Sequence, residues 1–348
     1  MDGPAALPSA PQERAQDILE QVGVLITPSL REAVERLPSR IRHLAGCHFG
    51  WWEADGTRPA GKQGKGLRPA LVVLSCQGVG GDHMAALPAA VAVELVHNAS
   101  LLHDDIIDGD RIRRGRPALW AAFGIPAGIL AGDALFFLAA EVLLDAGGPL
   151  ADTGPAELNK AVQNLIEGEY ADVVFQDRPV VSVPDTSAMA QSKTGALTAT
   201  SCALGALAAG AHQARVEHLR AFGAHLGAAF QLTDDLLDVW GHPEATGKPR
   251  WSDLAARKKT GPIAYALNTE SPAGRALGRL LSSPLPLDQR QLERAVRLME
   301  ETGARTWALG EARRLTDTAL RHLRAATLRP AAAAALTSLT RLATERDQ

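Results

Sequence analysis

Aromatic side chains make up only 4% of the chain, and that scarcity, beside abundant Ala, Leu and Arg, favours helix over sheet. Cysteine is rarer still. Cys47, Cys76 and Cys202 stand far apart, with neither metal-ligand spacing nor an evident pairing. A disulfide scaffold and a zinc module are excluded on that ground, and a reducing, cytoplasmic setting is expected. Positive charge is not in surplus, since 36 Lys and Arg face 39 Asp and Glu for a net charge of −3. No nucleic-acid partner is therefore expected. No basic start leads into an apolar core, and no unbroken apolar run approaches the ~20 residues of a membrane span, so neither a signal peptide nor a span is expected. P-loop, dinucleotide and zinc motifs are missing, as are repeats of short period.

What the chain does have is apolar material, 46% of its residues, at helical spacing almost throughout. After a Pro- and Ala-rich tail over residues 1–12, expected to be disordered, residues 13–348 are read as one domain. An all-α fold is expected, a single large helical bundle. The periodicity predicts helix from Glu13 to Ala45 with a break at Pro28, and then over 127–146, 156–175 and 186–211. GGPLADTGP, residues 147–155, reads as loop. Gly223 and Gly227, four apart, mark a tight helix contact.

Two acidic clusters interrupt the apolar pattern. The first is LLHDDIIDGDRIRRG, from Leu101. Asp104 and Asp108 are four apart, which on a helix stacks them one turn, ~5.4 Å, from each other. Two carboxylates so placed suit Mg²⁺, which takes one or two carboxylates and completes its octahedron with water and phosphate oxygens. Arg111, Arg113 and Arg114 follow with forked donors suited to phosphate. The second cluster, QLTDDLLDVW, places Gln231, Asp234 and Asp238 on one helical face. Two such clusters in a helical chain point to two helices facing each other across a cavity that holds a diphosphate through metal ions. Lys65 and Arg68 lie at a helix start, where an anion would join them. Lys193 is the single charge in a helix of small residues and is read as lining the cavity. Glu169 and Asp172 are a second carboxylate pair one turn apart, and Lys248, Lys258 and Lys259 lie in a polar segment suited to a lid over phosphate.

Taken in order, GKGLRP, HNASLLHDDIIDGDRIRRG, GEYAD, KTG, FQLTDDLLD and KKTGP resemble the trans-isoprenyl diphosphate synthases, the polyprenyl synthetase family, over roughly Gly64 to Pro262. The resemblance implies the isoprenoid synthase type I fold, a bundle around a deep central cavity, and a homodimer. It implies three Mg²⁺ ions held by Asp104, Asp108 and Asp234, with Asp105, Asp235 and Asp238 as support. It assigns the allylic diphosphate to Lys193, Lys248, Lys258 and Arg113. Isopentenyl diphosphate falls to Lys65, Arg68, His97 and Arg114, and the reacting end to Thr194, Gln231 and Asp172. Lys258 is preferred over Lys259, although RKKT here departs from the more usual GKKT.

The implied reaction is Mg²⁺-dependent head-to-tail condensation of isopentenyl diphosphate with an allylic prenyl diphosphate. In this family the positions four and five before the first aspartate set the pocket depth. Here they are Ser100 and Ala99, both small. Helix arithmetic puts Ser100 below Asp104 on the same face, while the role of Ala99 rests on the resemblance alone. Phe136 and Phe137 are candidates for a deeper floor. The expected product is geranylgeranyl diphosphate, with a longer polyprenyl product as the alternative. A class I terpene cyclase would have no use for Lys65, Arg68 and Arg114, and a non-catalytic partner subunit would be expected to have lost aspartates.

Overall fold

The computed structural model describes residues 11–53, 57, 66–241, 250–283 and 285–345. Lys65, Lys248 and the first ten residues of the expected tail lie outside that range, and Pro11 already opens the first helix. Among the described residues, all regular structure is helical except a two-stranded hairpin of β1 (Ile112–Arg113) and β2 (Arg116–Pro117). The helices are α1 (Pro11–Glu35), α2 (Ser39–Phe49), α3 (Leu67–Val79), α4 (His83–Ile107), α5 (Leu119–Phe123) and α6 (Ile125–Leu144). α7 (Gly148–Gln176), α8 (Val183–Ala190), α9 (Ala196–Ala208) and α10 (Gln213–Trp240) follow, and six more lie beyond Arg250.

Three boundaries differ from expectation. Pro28 lies inside α1 without ending it, and the chain breaks instead at Pro38, the N-cap of α2. A lone interior proline removes one ladder bond; beside it, the Thr27 hydroxyl donates to the Gly23 carbonyl at 2.6 Å. Residues 148–155 are helical, so α7 starts eight residues before the expected Ala156 and carries Pro155 within it. The expected helix over 186–211 is α8, a π-helical turn (Gln191–Gly195) and α9.

The chain gathers into two compact units. The first comprises Met1–Val162, Thr200–Arg220 and Leu323–Leu339; the second comprises Gln163–Ala199, Ala221–His322 and Thr340–Gln348. In the first, α3 is buried on nearly every side, as an apolar helix with no polar stripe must be. Gly205 lets α9 meet the backbone of α3, because a Cβ there would run into the Val72 carbonyl. Gly128 and Gly132 bring α6 equally close to Ile106 and His103 of α4.

Both α4 and α6 are long and apolar enough to cross a membrane, with mean hydropathies of 1.4 and 1.9. This corrects the expectation that no such stretch exists, which counted unbroken apolar runs. Glu94, His97 and Asn98 interrupt α4, while Asp133 and Glu141 interrupt α6. α4 places its apolar surface inside the unit, whereas α6 leaves Ile125, Ile129, Leu130, Phe137 and Leu144 exposed.

The second unit has a core of Val239, Trp251, Leu254, Ile263, Leu277, Leu292 and Met299. Gly223 and Gly227 of α10 lie against Thr198 and Gly195, where any Cβ would overlap, so the expected close contact is present.

Candidate active site

In the first unit the acidic motif ends α4. Asp104 occupies the last turn and Asp108 is the C-cap, still right-handed at φ −81° and ψ −11°, so the one-turn stacking persists to the helix end. Asp105, only 1% exposed, points inward to Arg113, whose Nε donates to Oδ1 at 2.7 Å while Nη2 reaches the same oxygen. Arg113 also lies 3.5 Å from both Asp104 and Asp110. Burial pushes the Asp105 carboxyl up to about 6 against the pull of Arg113. Asp104 and Asp108 stay partly exposed. Asp105 thus holds the hairpin arginine most closely, while Asp104 and Asp108 keep part of their surface exposed.

The hairpin turns at Arg114 and Gly115, with φ of 55° and 76°. Positive φ at both central residues is the tight I′ turn. Glycine takes that conformation readily and arginine only at a cost of ~1–2 kcal/mol. Arg114 is half-buried, and burial together with Arg113 holds its pKa below the usual arginine value. Its guanidinium takes part in no hydrogen bond or ion pair among the described residues. Nearby, Arg68, in the first turn of α3, donates through Nη1 to His97 Nε2 at 3.3 Å. Burial and the Arg68 charge keep that imidazole neutral. Arg111 does not join them: it is exposed and stacks on Trp120, 5.3 Å from the ring centroid.

The first unit also holds a polar chain that the sequence reading missed. His48 of α2 donates through Nε2 to Asn98 Oδ1 at 3.2 Å, and Asn98 Nδ2 donates to Glu94 Oε1 at 2.9 Å. Burial and the surrounding arginines push His48 down to about 3, so it is neutral and carries its proton on Nε2. A signal was present, since Glu94 and Asn98 sit four apart in the otherwise apolar run before the aspartates.

Of the residues proposed to limit the tail, Ser100 lies one turn below Asp104, partly buried, and its hydroxyl donates to the His97 carbonyl at 2.8 Å. Ala99 is wholly buried. Phe136 packs edge-on to His103 at 5.7 Å. Phe137 is 78% exposed and cannot floor a cavity within this chain, which corrects its assignment: it falls on the outer face of α6, one residue around from Phe136.

In the second unit the π-helical turn presents Lys193 and Thr194. An extra residue in a helical turn redirects the side chains that follow, and such turns recur at functional sites. Lys193 Nζ lies 2.9 Å from Glu169 and 2.7 Å from Asp172, with Lys258 Nζ 3.7 Å from the same Asp172 oxygen. The two carboxylates on α7, one turn apart, thus gather both lysines. Gly168 makes this possible, because a Cβ there would collide with the Lys193 backbone. Thr194 Oγ1 donates to Gln231 Oε1 at 2.7 Å, and Gln231 Nε2 donates to Asp235 Oδ1 at 3.0 Å. The Gly261 amide donates to the other Asp235 oxygen at 3.2 Å. Burial raises Asp235 to about 8. Asp238 accepts from the Ser252 hydroxyl at 2.6 Å and the Asp253 amide at 3.2 Å. Asp234, by contrast, remains partly exposed. Lys259 is buried on the carbonyls of Gln176 and Arg257, unlike Lys258.

In the first unit Asp104 and Asp108, and in the second Asp234, offer hard carboxylate oxygens of the kind that magnesium takes. Among the described residues no group of three or more His, Cys, Asp or Glu side chains forms a self-contained metal cage.

The sequence profile of the polyprenyl synthetase family matches residues 56–299. The chain is 43% identical over 304 residues to a (2E,6E)-farnesyl diphosphate synthase of Mycobacterium tuberculosis, covering 86% of this chain and 85% of that protein. It is 41% identical over 300 residues to a geranylgeranyl diphosphate synthase of the same organism, covering 86% of each. A crystal structure of polyprenyl synthetase from Streptomyces coelicolor superposes with a TM-score of 0.90 at 41% identity, over 94% of this chain and 99% of that one. A geranylgeranyl pyrophosphate synthase from Corynebacterium glutamicum, complexed with isoprenyl diphosphate and magnesium, gives 0.76 at 27% identity over 97% of both chains.

Proposed function

The chain belongs to the polyprenyl synthetase family and is a trans-prenyl diphosphate synthase, and we propose that its product is geranylgeranyl diphosphate. The observation that carries the reading of the site is Arg114: a half-buried arginine in a costly backbone conformation, with no hydrogen bond or ion pair among the described residues, is open to an anion. With Arg68, His97 and Lys65 it is assigned the isopentenyl diphosphate. Lys193, Lys258, Lys248 and Arg113 are assigned the allylic diphosphate. Thr194, Gln231 and Asp172 are assigned its reacting end.

Asp104, Asp108 and Asp234 would hold magnesium, which when bound would supply Lewis-acid charge to the departing diphosphate. Lys193 and Lys258 add fixed positive charge where negative charge develops, and they need no reorganisation at that moment beyond release from Asp172. The allylic C1–O bond breaks with its electron pair on the diphosphate. C4 of the isopentenyl double bond then attacks C1, held in line by its own diphosphate site. A proton leaves C2, taken by the released diphosphate, because burial and the neighbouring arginines make His97 and His48 poor proton acceptors.

Product length rests on small residues. Identities of 43% and 41% to a farnesyl and a geranylgeranyl synthase do not separate the two, so the local side chains carry the choice. Ser100 and Ala99 present no ring below Asp104, and a tail one unit longer than farnesyl is accommodated there. We place the enzyme in the cytosol, consistent with three buried free cysteines, as a homodimer joined through the exposed face of α6. The test is incubation of the full chain with labelled isopentenyl diphosphate and each of dimethylallyl, geranyl and farnesyl diphosphate, followed by sizing of the products. A twenty-carbon product is expected, with EDTA abolishing turnover and Mg²⁺ restoring it. A fifteen-carbon or much longer product would overturn the length, and no condensation with any starter would overturn the activity.

A further inference from the structure

Two consecutive lysines in the second unit have opposite surroundings. Lys258 is partly exposed, and its Nζ lies 3.7 Å from Asp172 Oδ2 on α7. Lys259 is only 5% exposed. An ammonium so deeply buried is costly unless it has partners, and burial together with the Arg257 charge lowers its pKa. Its partners are main-chain carbonyls: Nζ donates to Gln176 O at 3.2 Å and to Arg257 O at 2.9 Å. Gln176 is the last residue of α7, where carbonyls lack intrahelical donors and the helix dipole favours a cation. Arg257 belongs to the lysines' own segment and stands in the left-handed region at φ 58°, a conformation that glycine takes more readily. Asp172 and Gln176 are four apart, so the two lysines meet successive turns of α7, one at a side chain and the other at the main chain.

The segment is tied at both ends as well. The Lys258 amide donates to the Asp253 carbonyl at 2.9 Å, and the Gly261 amide donates to Asp235 Oδ2 at 3.2 Å. Asp172 cannot be a lasting tie to α7, because Lys258 must leave it to meet a diphosphate. The Lys259 contact uses no group assigned to substrate, so it need not break when Lys258 turns. We propose that Lys259 is a positioning residue: by tying its segment to the C-terminus of α7, it keeps Lys258 within reach of the allylic diphosphate as that side chain exchanges Asp172 for substrate, a role that rests on the assignment of Lys258 to that diphosphate. Consecutive Cα atoms are ~3.8 Å apart, so a shift of one residue is a shift of the other. A lysine side chain carries large rotamer entropy, and a fixed backbone beneath it is what lets its charge stand ready where negative charge develops.

The experiment measures KM for allylic and for isopentenyl diphosphate separately in the full chain carrying Lys258→Ala, Lys259→Met or Lys259→Gln, and in Lys258→Ala combined with each Lys259 substitution. Lys258→Ala should raise the allylic KM about tenfold, the scale of one charge-assisted hydrogen bond. Lys259→Met keeps the apolar stem but removes the donors, and should raise the allylic KM about fivefold. Lys259→Gln retains an amide donor and should give a smaller rise, about threefold, which keeps the test available if Lys259→Met fails to fold. The isopentenyl KM should stay within about twofold in every variant, since its diphosphate site is a different one. In the combined variants the allylic KM should equal that of Lys258→Ala alone, because a residue that acts through Lys258 then has nothing left to position. If Lys258→Ala leaves the allylic KM unchanged, the site assignment itself is wrong and the proposal falls with it. If Lys258→Ala raises it while the Lys259 variants do not, if the two effects multiply in the combined variants, or if both substrates' KM values rise equally, Lys259 is a structural residue and the proposal fails.

Discussion

Neighbouring aspartates in one motif can have opposite duties, and their burial tells them apart. Asp105, Asp235 and Asp238 hold an arginine, a loop amide and a serine, while Asp104, Asp108 and Asp234 remain partly exposed. Asp104→Ala or Asp234→Ala should cut turnover by at least ~10²-fold, the scale for removing one preorganised electrostatic partner, with the melting temperature little changed. Asp238→Ala should do the reverse in kind, losing ~1–3 kcal/mol of stability in urea unfolding because Ser252 and the Asp253 amide lose their acceptor. Near-normal rates in both Asp104→Ala and Asp234→Ala at saturating Mg²⁺ would refute the metal assignment. Ser100→Phe tests the tail: a ring one turn below Asp104 should shorten the product to farnesyl or geranyl diphosphate, read by product sizing, while isopentenyl consumption falls only modestly. An unchanged product from a folded, active variant would show that the tail avoids this face. At this scale the sequence was informative wherever a side chain's role follows from helical spacing, as for Asp104, Asp108 and Ser100. It marked Glu94 and Asn98 as polar residues four apart but was silent on their partner His48, which lies 50 residues from Asn98 in sequence, a distance no local period encodes.

Among the elements, the helices that the periodicity marked are present, and the differences lie where tertiary contacts overrule local preference. Pro28 and Pro155 are tolerated inside helices, while the π-helical turn at Gln191–Gly195 interrupts a segment whose composition reads as uninterrupted α-helix. Gly195, a poor helix former, weakens the local preference there without specifying a π-helical turn. What stands beside it is Gly168 of α7, pressed on the Lys193 backbone. Gly168→Ala should therefore be felt twice. Overpacking of this kind costs ~1–3 kcal/mol, visible as a lower urea midpoint. The methyl group would also move Lys193 away from Glu169 and Asp172, so kcat should fall well beyond what the stability loss explains. Gly310→Ala is the matched control, because a Cβ there meets nothing within 4 Å. Equal behaviour of the two variants would show that the close approach is not needed for the turn.

For the whole molecule, the proposed homodimer is to be tested at the outer face of α6. Ile129, Leu130, Phe137 and Leu144 lie on one side of that helix and are 43%, 56%, 78% and 58% exposed, beside a buried face packed on α4. The sequence showed α6 to be apolar but not that one side of it would stay uncovered. That became visible only once α4, through Gly128 and Gly132, had taken the other side. A single chain rarely leaves so contiguous an apolar stripe in water. A second copy of the same stripe is its natural cover, since a two-fold axis brings each residue of the face against its own counterpart or a near neighbour. The same symmetry makes the interface sensitive to charge: Phe137→Glu introduces one carboxylate from each subunit into the apolar contact, where neither has a cationic partner. Burying an unpaired carboxylate costs several kcal/mol, so two of them should weaken association by more than ~100-fold. Sedimentation at micromolar concentration should find a dimer for the unaltered chain and a monomer for Phe137→Glu. Asp133→Asn, on the same face, removes a charge and should leave the dimer intact or tighten it. A monomeric unaltered chain, or a Phe137→Glu variant that sediments as a dimer, would place the subunit contact elsewhere or remove it. The helical content of Phe137→Glu by circular dichroism separates a lost interface from a lost fold: the face is solvent-exposed in the single chain, so the substitution should leave α6 formed.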